Sequence, residues 1–371
     1  MRTFKYGDEQ IRTRDIMIAV PSMLIAIGII IFPRELADKT IAADGWVSIL
    51  FGGMIAILAV WLVTKLAASF PNQSFLSYAS YLVTKPVAIV ITFLFSVQGI
   101  LLSAFEVRAI SDISHQYLFD QTPIEVVALS FLLVVVYAVS GSRAGLFRLN
   151  SMFLPIIFLI TTLLVFFSIV FINTDHLLPV FKTDAQGYVQ GTIESTISFS
   201  GVGIGIFFFY ISLVKKPEKA PAMAAFGMSW VVGLYIVVYL TCIAVFGENT
   251  TANIRFPLIE LAKTIEIPGG FFERLDSVFF VIWIMAIFNT TALAFDVSVM
   301  ALNSIFPKVD KLKIIFVLSP IVFFLAMIPN TYLEIGLFGR YVSYFGWGFV
   351  GVILIILWVM FKIKGAKQNE K

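Results

Sequence analysis

The sequence contains few of the residues from which catalytic and metal sites are usually built. Among 371 residues there is one cysteine, there are two histidines, and 13% of the residues are charged. The single Cys242 excludes an intramolecular disulfide and a cysteine-based metal site, and His115 and His176 lie in separate polar connections. The chain also lacks a phosphate-binding glycine loop, an HExxH helix, a GxSxG turn and a clustered basic face. We therefore expect no enzyme activity, no metal or cofactor, and no nucleic-acid partner.

Apolar residues are abundant instead. They make up 59% of the chain, whereas soluble domains are about 45–50% apolar and about 25% charged. A helix that crosses a bilayer needs about 20 mainly apolar residues. The sequence therefore predicts an all-α polytopic membrane protein with about ten spans, which cover residues 16–37, 46–69, 86–110, 123–140, 150–172, 193–214, 222–246, 276–303, 314–329 and 341–362.

Lysine and arginine are distributed unevenly among the connections between these spans. If the N-terminus is cytoplasmic and the spans alternate, 18 of the 26 basic residues lie on the cytoplasmic side and 8 on the other. Positive charge favours the cytoplasmic side. The pattern predicts short cytoplasmic tails at both ends and a single integral membrane domain over residues 1–371. The first span follows a charged leader and is too long for a cleaved signal peptide, so we expect it to be retained.

The first and sixth predicted spans contain residues that disfavour helix, namely Gly28 and Pro33 in the first and Gly201, Gly203 and Gly205 in the sixth. Each glycine lowers helix preference by about 1 kcal/mol. Interrupted helices at corresponding positions of two halves mark the midplane binding site of transporters. Because these spans are five apart, the pattern predicts a five-plus-five inverted repeat, roughly 12–172 and 190–362, with helices 1 and 6 broken. The alternative is that the glycines only allow close helix packing.

Polar side chains also occur deep within predicted spans. Asn289, Thr290 and Thr291 follow one another in span eight, and Gln98 lies in span three. Polar groups at bilayer depth are costly unless they are paired or hydrated, so they are candidates for function. Two explanations of the Asn–Thr–Thr run stay open, which are contact with a ligand and hydrogen bonding between helices. For Asp296 we expect a polar cavity or a helix–helix pair rather than exposure to lipid.

A charged cluster lies near the end of the third span. Glu106 and Arg108 are two residues apart and cannot share a helix face, whereas Arg108 and Asp112 are four apart and can. We expect Arg108 to pair with Asp112 and Glu106 to turn toward the bundle, as a structural or gating cluster. Snorkelling of the long side chains toward the interface is the alternative explanation.

Several segments together resemble a known family. They are GIIIFPRELADKTIAADGWVS (28–48), SAFEVRAISD (103–112), QTPIEVV (121–127), SGSRAGLFRLN (140–150), ISFSG (197–201) and PGGFFERLDSVFFVIWI (268–284). On these residues the chain resembles the B subunits of bacterial spore germinant receptors, the spore germination permease family of the amino acid–polyamine–organocation superfamily. Members often have an acidic residue shortly after ISF-x-G and a proline at the end of that span, where this chain has Gly203 and Tyr210.

The resemblance implies a multi-pass protein of the spore inner membrane that senses a nutrient, usually an amino acid, together with A-type and C-type receptor subunits. It also implies the LeuT-like fold of amino-acid permeases. The alternative function is a secondary transporter of an amino acid or amine, coupled to H⁺ or Na⁺. No coupling carboxylate is evident among the midplane residues, which favours the sensing function.

On this basis a zwitterion is expected at the midplane between spans one and six. Its carboxylate would meet N–H groups near Gly28 and Ile29, because the start of a helix favours an anion. Its ammonium would meet carbonyls freed around Ser200, Gly201 and Val202. The candidate ligand-binding residues are Ala26, Gly28, Ile29, Gln98, Ser200, Gly201, Val202, Gly203, Asn289, Thr290 and Thr291.

Overall fold

The computed structural model describes residues 10–265 and 275–369. Part of one segment that carried the family resemblance, residues 268–274, lies outside the described residues. Within the described part, sixteen α-helices follow one another: α1 (Thr13–Leu24), α2 (Ile27–Ala37), α3 (Gly45–Ala68), α4 (Phe75–Leu82), α5 (Lys85–Tyr117), α6 (Ile124–Ser140), α7 (Arg143–Ser168), α8 (Ala185–Ser198), α9 (Gly201–Gly205), α10 (Phe207–Tyr210), α11 (Ala220–Phe246), α12 (Glu248–Asn253), α13 (Pro257–Lys263), α14 (Leu275–Ile305), α15 (Lys311–Ala326) and α16 (Tyr332–Asn369).

The helices account for every predicted span. Six are long and apolar enough to cross a membrane, namely α3, α5, α7, α11, α14 and α16. Two bent pairs bring the number to eight, because α1 and α2 meet at 55° and α8 meets the segment from Gly201 to Leu213 at 50°. The remaining two predicted spans coincide with α6 and α15, which are shorter, at 17 and 16 residues. The predicted all-α membrane architecture is confirmed.

Both predicted interruptions are confirmed, and each begins just before the glycines that indicated it. Between α1 and α2, Ala26 has φ −135° and ψ −129°, which is not helical. Between α8 and α9, Ser200 has a left-handed φ of 44°. Since the helices restart at Ile27 and Gly201, the glycines lie in the first turn after each break rather than at the break itself.

The bundle has two ends, which we name by their residues. The terminal face holds Ile11, Val214 and Lys364, and a short backbone bridge joins the first two of these. The loop face, at the opposite end, holds Asp44, Asp112 and Tyr332. These names describe the molecule without reference to a membrane side.

At the loop face, one carboxylate organises a long connection. Asp44 is fully buried just before α3, and its oxygens accept the backbone N–H groups of Phe181, Lys182 and Thr183 at 2.5–2.9 Å. A buried charge is tolerated where hydrogen bonds replace its water. Asp44 thus ties the connection between α7 and α8 to the start of α3.

The core is centred on the contact between α5 and α14. A Cβ at Gly99 would lie 2.2 Å from Ser298 Oγ and 2.5 Å from Ala294 O, so the two backbones approach more closely than any larger residue allows. Ser96 and Ser298 each donate a side-chain hydrogen bond to the other's carbonyl, at 3.2 and 3.0 Å. Small residues and short interhelical hydrogen bonds are the usual means by which membrane helices associate.

Candidate functional site

A cavity of about 540 Å³ runs from the two helix breaks to the loop face. Its floor includes Ala26, Gly28 and Ser200, and its upper wall includes Tyr332 and Leu333 at the start of α16. Side chains of α5 at helical spacing form another wall; they are Leu102, Phe105, Glu106, Ala109, Asp112 and Ile113. The cavity is large enough for a small organic ligand.

The start of α2 presents unpaired backbone donors to this cavity. Helix α2 has no side-chain cap, and the first N–H groups of a helix have no partner within it. Gly28 is partly exposed in the cavity wall, while Ile27 and Ile29 are buried beside it. The partial positive charge of a helix start favours an anionic group here. At the other break, Ser200 Oγ already accepts the Gly203 N–H at 3.1 Å.

Side chains from two other helices satisfy the carbonyls that the break in span one leaves free. Thr290 Oγ1 donates to Ser22 O and Met23 O at 3.2 and 3.1 Å. Tyr235 donates to Leu24 O at 3.1 Å, and Trp283 Nε1 to Ala26 O, also at 3.1 Å. Helices α11 and α14 therefore hold the break in place. Thr290, a predicted ligand residue, lines the cavity, but its hydroxyl donates to the carbonyls at the break.

The carbonyls that the sequence predicted as partners of a ligand ammonium are largely hydrogen-bonded within α9. Ser200 O accepts the Ile204 N–H and Val202 O accepts the Ile206 N–H, both at 3.1 Å. The carbonyl nearest to Gly28 is that of Ser198, at the end of α8, which lies 3.2 Å from the position of a Gly28 Cβ. Because α9 begins at Gly201, the carbonyls of Ser200 and Val202 accept hydrogen bonds within this segment and are not left free by the break.

The glycines of α9 pack against other helices. A Cβ at Gly201 would lie 2.6 Å from the backbone N and Cα of Trp347 on α16. A Cβ at Gly203 would lie 2.8 Å from Leu24 Cδ2. At these two positions close packing, the alternative left open by the sequence, explains the glycine. Replacement of Gly201 by alanine would therefore disturb α16 rather than fill a ligand pocket.

Several predicted ligand residues lie outside the cavity lining, and they are Ile29, Gln98, Gly201, Val202, Gly203, Asn289 and Thr291. Gln98 Nε2 donates to Phe345 O at 3.3 Å, and Thr291 Oγ1 donates to Ile287 O within its own helix at 2.7 Å. The side-chain amide of Asn289 is buried without a hydrogen-bond partner among the described residues. The structure therefore brings together Ala26, Gly28, Ser200 and Thr290, and it adds Glu106.

The predicted pairing within the charged cluster was wrong. Asp112 forms an ion pair with Arg255, which also lies over the Tyr332 ring at 3.9 Å. Arg108 is buried but does not line the cavity, and the structure shows no ion pair between it and Asp112 in the described residues. The reason is that the connection between α12 and α13 carries Arg255 onto α5, a contact that helical spacing within α5 cannot reveal.

Aromatic and charged residues that sequence reasoning missed surround the mouth of the cavity. Arg34 of α2 donates to the Tyr332 hydroxyl, and Tyr117 donates to Glu260 Oε1 of α13 at 2.7 Å. Together with Arg255 they join α2, α5, α13 and α16 at the loop face. A search of the sequence for cations and aromatic residues at regular spacing would not have found them, because the partners are up to 298 residues apart in the chain.

The terminal face has a charged cluster of its own. Asp296 is fully buried on α14; its Oδ2 accepts from Arg143 Nε at 3.1 Å and from the Tyr210 hydroxyl at 3.0 Å. Lys311 Nζ lies 3.9 Å from the other oxygen. The expected polar helix–helix pair is therefore found. Tyr210, the position at which the family resemblance led us to expect a proline, supplies one of its bonds.

Known proteins resemble this chain over almost its whole length. A family model described as spore germination protein matches residues 10–335. Spore germination protein GerLB of Bacillus cereus is 41% identical over 364 residues, covering 98% of this chain and 97% of the relative. Spore germination protein YndE of Bacillus subtilis is 27% identical over 362 residues, covering 98% of each.

Two solved structures share the fold. MhsT in complex with L-phenylalanine has a TM-score of 0.74 at 16% identity, covering 95% of this chain and 89% of that one. Mhp1, a nucleobase-cation-symport-1 family transporter in a closed conformation, has a TM-score of 0.67 at 14% identity, covering 96% and 80%. At these identities the likeness concerns the fold alone, and it confirms the predicted LeuT-like architecture with interrupted helices 1 and 6.

Proposed function

We propose that the germinant of this chain is an amino acid bound in the cavity. The chain belongs to the spore germination protein family and is a permease-like, germinant-sensing membrane subunit. The observation that carries this proposal is the uncapped start of α2 at the cavity floor. The carboxylate of an amino acid would accept hydrogen bonds from the N–H groups of Ile27 and Gly28, where the helix dipole also favours negative charge.

Binding would be sensed as a change in the balance between two conformations. The cavity reaches the loop face, whereas Asp296 and its partners join α7, α10, α14 and α15 at the terminal face. A ligand that contacts both α2 and α5 stabilises whichever arrangement holds these helices together. We propose that A-type and C-type receptor subunits respond to that arrangement.

We place the protein in the spore inner membrane with both termini in the cytoplasm, so that the terminal face is cytoplasmic. Lys and Arg are enriched in the connections of that face, in agreement with the positive-inside rule. Cysteine at Asp184 or Asn249 should react with an impermeant thiol reagent in intact cells, whereas cysteine at Lys216 should not. Labelling of position 216 from outside would reverse the orientation.

Transport of the same ligand is the second candidate function. A cavity open toward one face and closed by an ion-pair cluster toward the other is one of the two arrangements that a carrier needs. Uptake of a radiolabelled amino acid into proteoliposomes that contain the purified chain would support transport. Binding without uptake would leave sensing alone.

The test of the proposed function compares two adjacent threonines in a nutrient dose–response of spore germination. Thr290→Val removes the hydroxyl that holds the break at Ser22 and Met23, and one neutral hydrogen bond is worth about 0.5–1.5 kcal/mol. We expect the effective amino-acid concentration to rise by about two- to tenfold. Thr291→Val is the matched control, since the Thr291 hydroxyl bonds only within α14 and the residue lies outside the cavity.

Protein level must be measured by immunoblot beside each curve. A shift for Thr290→Val alone at normal level supports a ligand site beside the break. Equal curves for both variants and the unchanged chain, at equal levels, would contradict the placement of the ligand there.

A further inference from the structure

One carboxylate in the cavity wall has no partner in the described part of the chain. Glu106 of α5 is 4% exposed and lines the cavity. Its Oε2 has no hydrogen-bond partner, and no hydrogen bond or ion pair is found for the side chain among residues 10–265 and 275–369. A buried, ionisable group without a partner in a membrane protein indicates a site that something else completes.

Four other carboxylates, those of Glu35, Asp38, Asp112 and Glu194, line the same cavity, and each residue is more exposed than Glu106. Asp112 pairs with Arg255, and Asp38 pairs with Lys39 at 2.7 Å. Glu35, two helical turns along α2 from Gly28, is within electrostatic reach of Glu194 and also of Arg340, Arg34 and Lys39. Among the residues that the structure describes, no cation acts in this way on Glu106. Glu106 is therefore distinguished from the other four by its burial together with its lack of a counter-charge.

The nearest basic residue along α5 does not compensate Glu106. Arg108 is two residues further on, which places it about 200° around the helix. It is buried and does not line the cavity. A positive charge that compensates an ionised Glu106 would therefore come from within the cavity.

Glu106 lies in the same cavity as the start of α2, on the loop-face side of the break in span one. Ser103 Oγ contacts Thr291 O at 3.5 Å, which sets the level of this part of α5 against α14 near the break. Glu106 lies three residues, or about 4.5 Å, closer to the loop face. The cavity thus offers N–H donors at the start of α2 and a carboxylate on α5, which are the complements of a carboxylate and of an amine.

We propose that Glu106 forms an ion pair with the protonated amine of the ligand, so that the cavity selects molecules that carry both an amine and a carboxylate. The proposal rests on the proposed function and extends it by naming the group that binds the amine. An ion pair in a site of low exposure is favourable only when both charges are matched, because an unpaired buried charge is costly. Sugars and nucleosides, which lack a protonated amine, would leave that cost in place.

The experiment measures equilibrium binding to the purified full-length chain in lipid nanodiscs. The twenty common amino acids are screened first, and the tightest binder is compared with its amine-free carboxylic acid. We expect the unchanged chain to bind the acid about ten- to a hundredfold more weakly than the amino acid. In Glu106→Gln, the affinity for the amino acid should fall by a similar factor, and the affinity for the acid should stay the same or rise.

Glu35→Gln is the matched control, because it removes a carboxylate from the same cavity that already has cations nearby. We expect it to change amino-acid affinity by less than about threefold, and Glu106→Asp, which keeps the charge, to fall between Glu106→Gln and the unchanged chain. Equal losses in Glu35→Gln and Glu106→Gln would overturn a direct ion pair, as would unchanged affinity in Glu106→Gln.

Failure of this inference and failure of the proposed function have different signatures. If the unchanged chain binds no amino acid, the proposed function fails and the inference with it. If it binds an amino acid and its amine-free acid equally, the site stands and the role of Glu106 is overturned. The second comparison uses only the unchanged chain, so it decides the matter even if Glu106→Gln is produced poorly.

Discussion

Two buried carboxylates on adjacent helices have opposite surroundings. Glu106 of α5 lies in the wall of the cavity with no partner in the described residues, whereas Asp296 of α14 has Arg143, Lys311 and Tyr210 around it. Both sit within long apolar helices, where a charge is costly. The difference shows that burial alone does not assign a role, since the partners decide whether the charge is structural or available.

The two environments also belong to the two ends of the bundle. Partners of Asp296 come from α7, α10 and α15, so that the cluster joins four helices at the terminal face. Glu106 faces a cavity that reaches the loop face. Because Tyr210 belongs to the second half of the broken sixth span, a movement of that half away from α14 would separate Tyr210 from Asp296.

The largest expected effect comes from breaking the paired carboxylate. Asp296→Asn keeps the shape of the side chain but removes the buried negative charge that Arg143 and Lys311 face. Loss of one partner of a buried pair costs about 3–5 kcal/mol, and we expect the low end because Arg143 is 17% exposed. The protein should show a clearly lower melting temperature in detergent and a reduced level in membranes.

Asp310→Asn serves as the control for this change. Asp310 lies at the same face, precedes α15 and is exposed, with no side-chain cap bond to the helix. Its replacement should leave the melting temperature unchanged within about 1 °C. Equal melting temperatures for Asp296→Asn and the unchanged chain would mean that the cluster does not hold the terminal face together.

The sequence was sufficient to predict the helices and the existence of the breaks. Apolar length predicted the position of a helix at each of the ten segments, and Gly28 and Gly201 indicated the two interruptions. These are local properties, because a backbone without a Cβ or a run of apolar side chains acts within a few residues. The exact break points were missed, since Thr290, Tyr235 and Trp283 hold the free carbonyls from helices far away in the chain.

The same limit explains the charged residues. Helical spacing paired Arg108 with Asp112, but Arg255, 143 residues away, occupies that carboxylate. Spacing did predict that Glu106 turns away from Arg108, and the cavity wall contains Glu106 and not Arg108. Which carboxylate would be left without a partner depended on where the connection between α12 and α13 places Arg255, and one sequence does not specify that.

A smaller effect is expected when only one bond to Asp296 is removed. Tyr210→Phe keeps the ring, which packs edge-on against Phe147 with centroids 5.0 Å apart, and deletes the hydroxyl that donates to the carboxylate at 3.0 Å. A hydrogen bond to a charged group is worth about 1.5–3 kcal/mol. The melting temperature should fall by less than in Asp296→Asn, because the ion pair with Arg143 remains. In the double variant the two losses should not add, since both act through one carboxylate.

The smallest effect on stability is expected at Glu106, and its sign sharpens the comparison. Glu106→Gln is the same isosteric loss of charge as Asp296→Asn, yet it removes a charge that no protein group compensates. Replacement of an unpaired buried charge by a neutral group relieves a desolvation cost. Without ligand, the melting temperature of Glu106→Gln should therefore equal or slightly exceed that of the unchanged chain.

With a saturating amino acid, the unchanged chain should gain stability and the variant should gain less, as expected for a ligand that binds the folded state. A melting temperature that falls in Glu106→Gln as far as in Asp296→Asn would show that both carboxylates hold the structure together, and the contrast between the two ends of the bundle would then be lost.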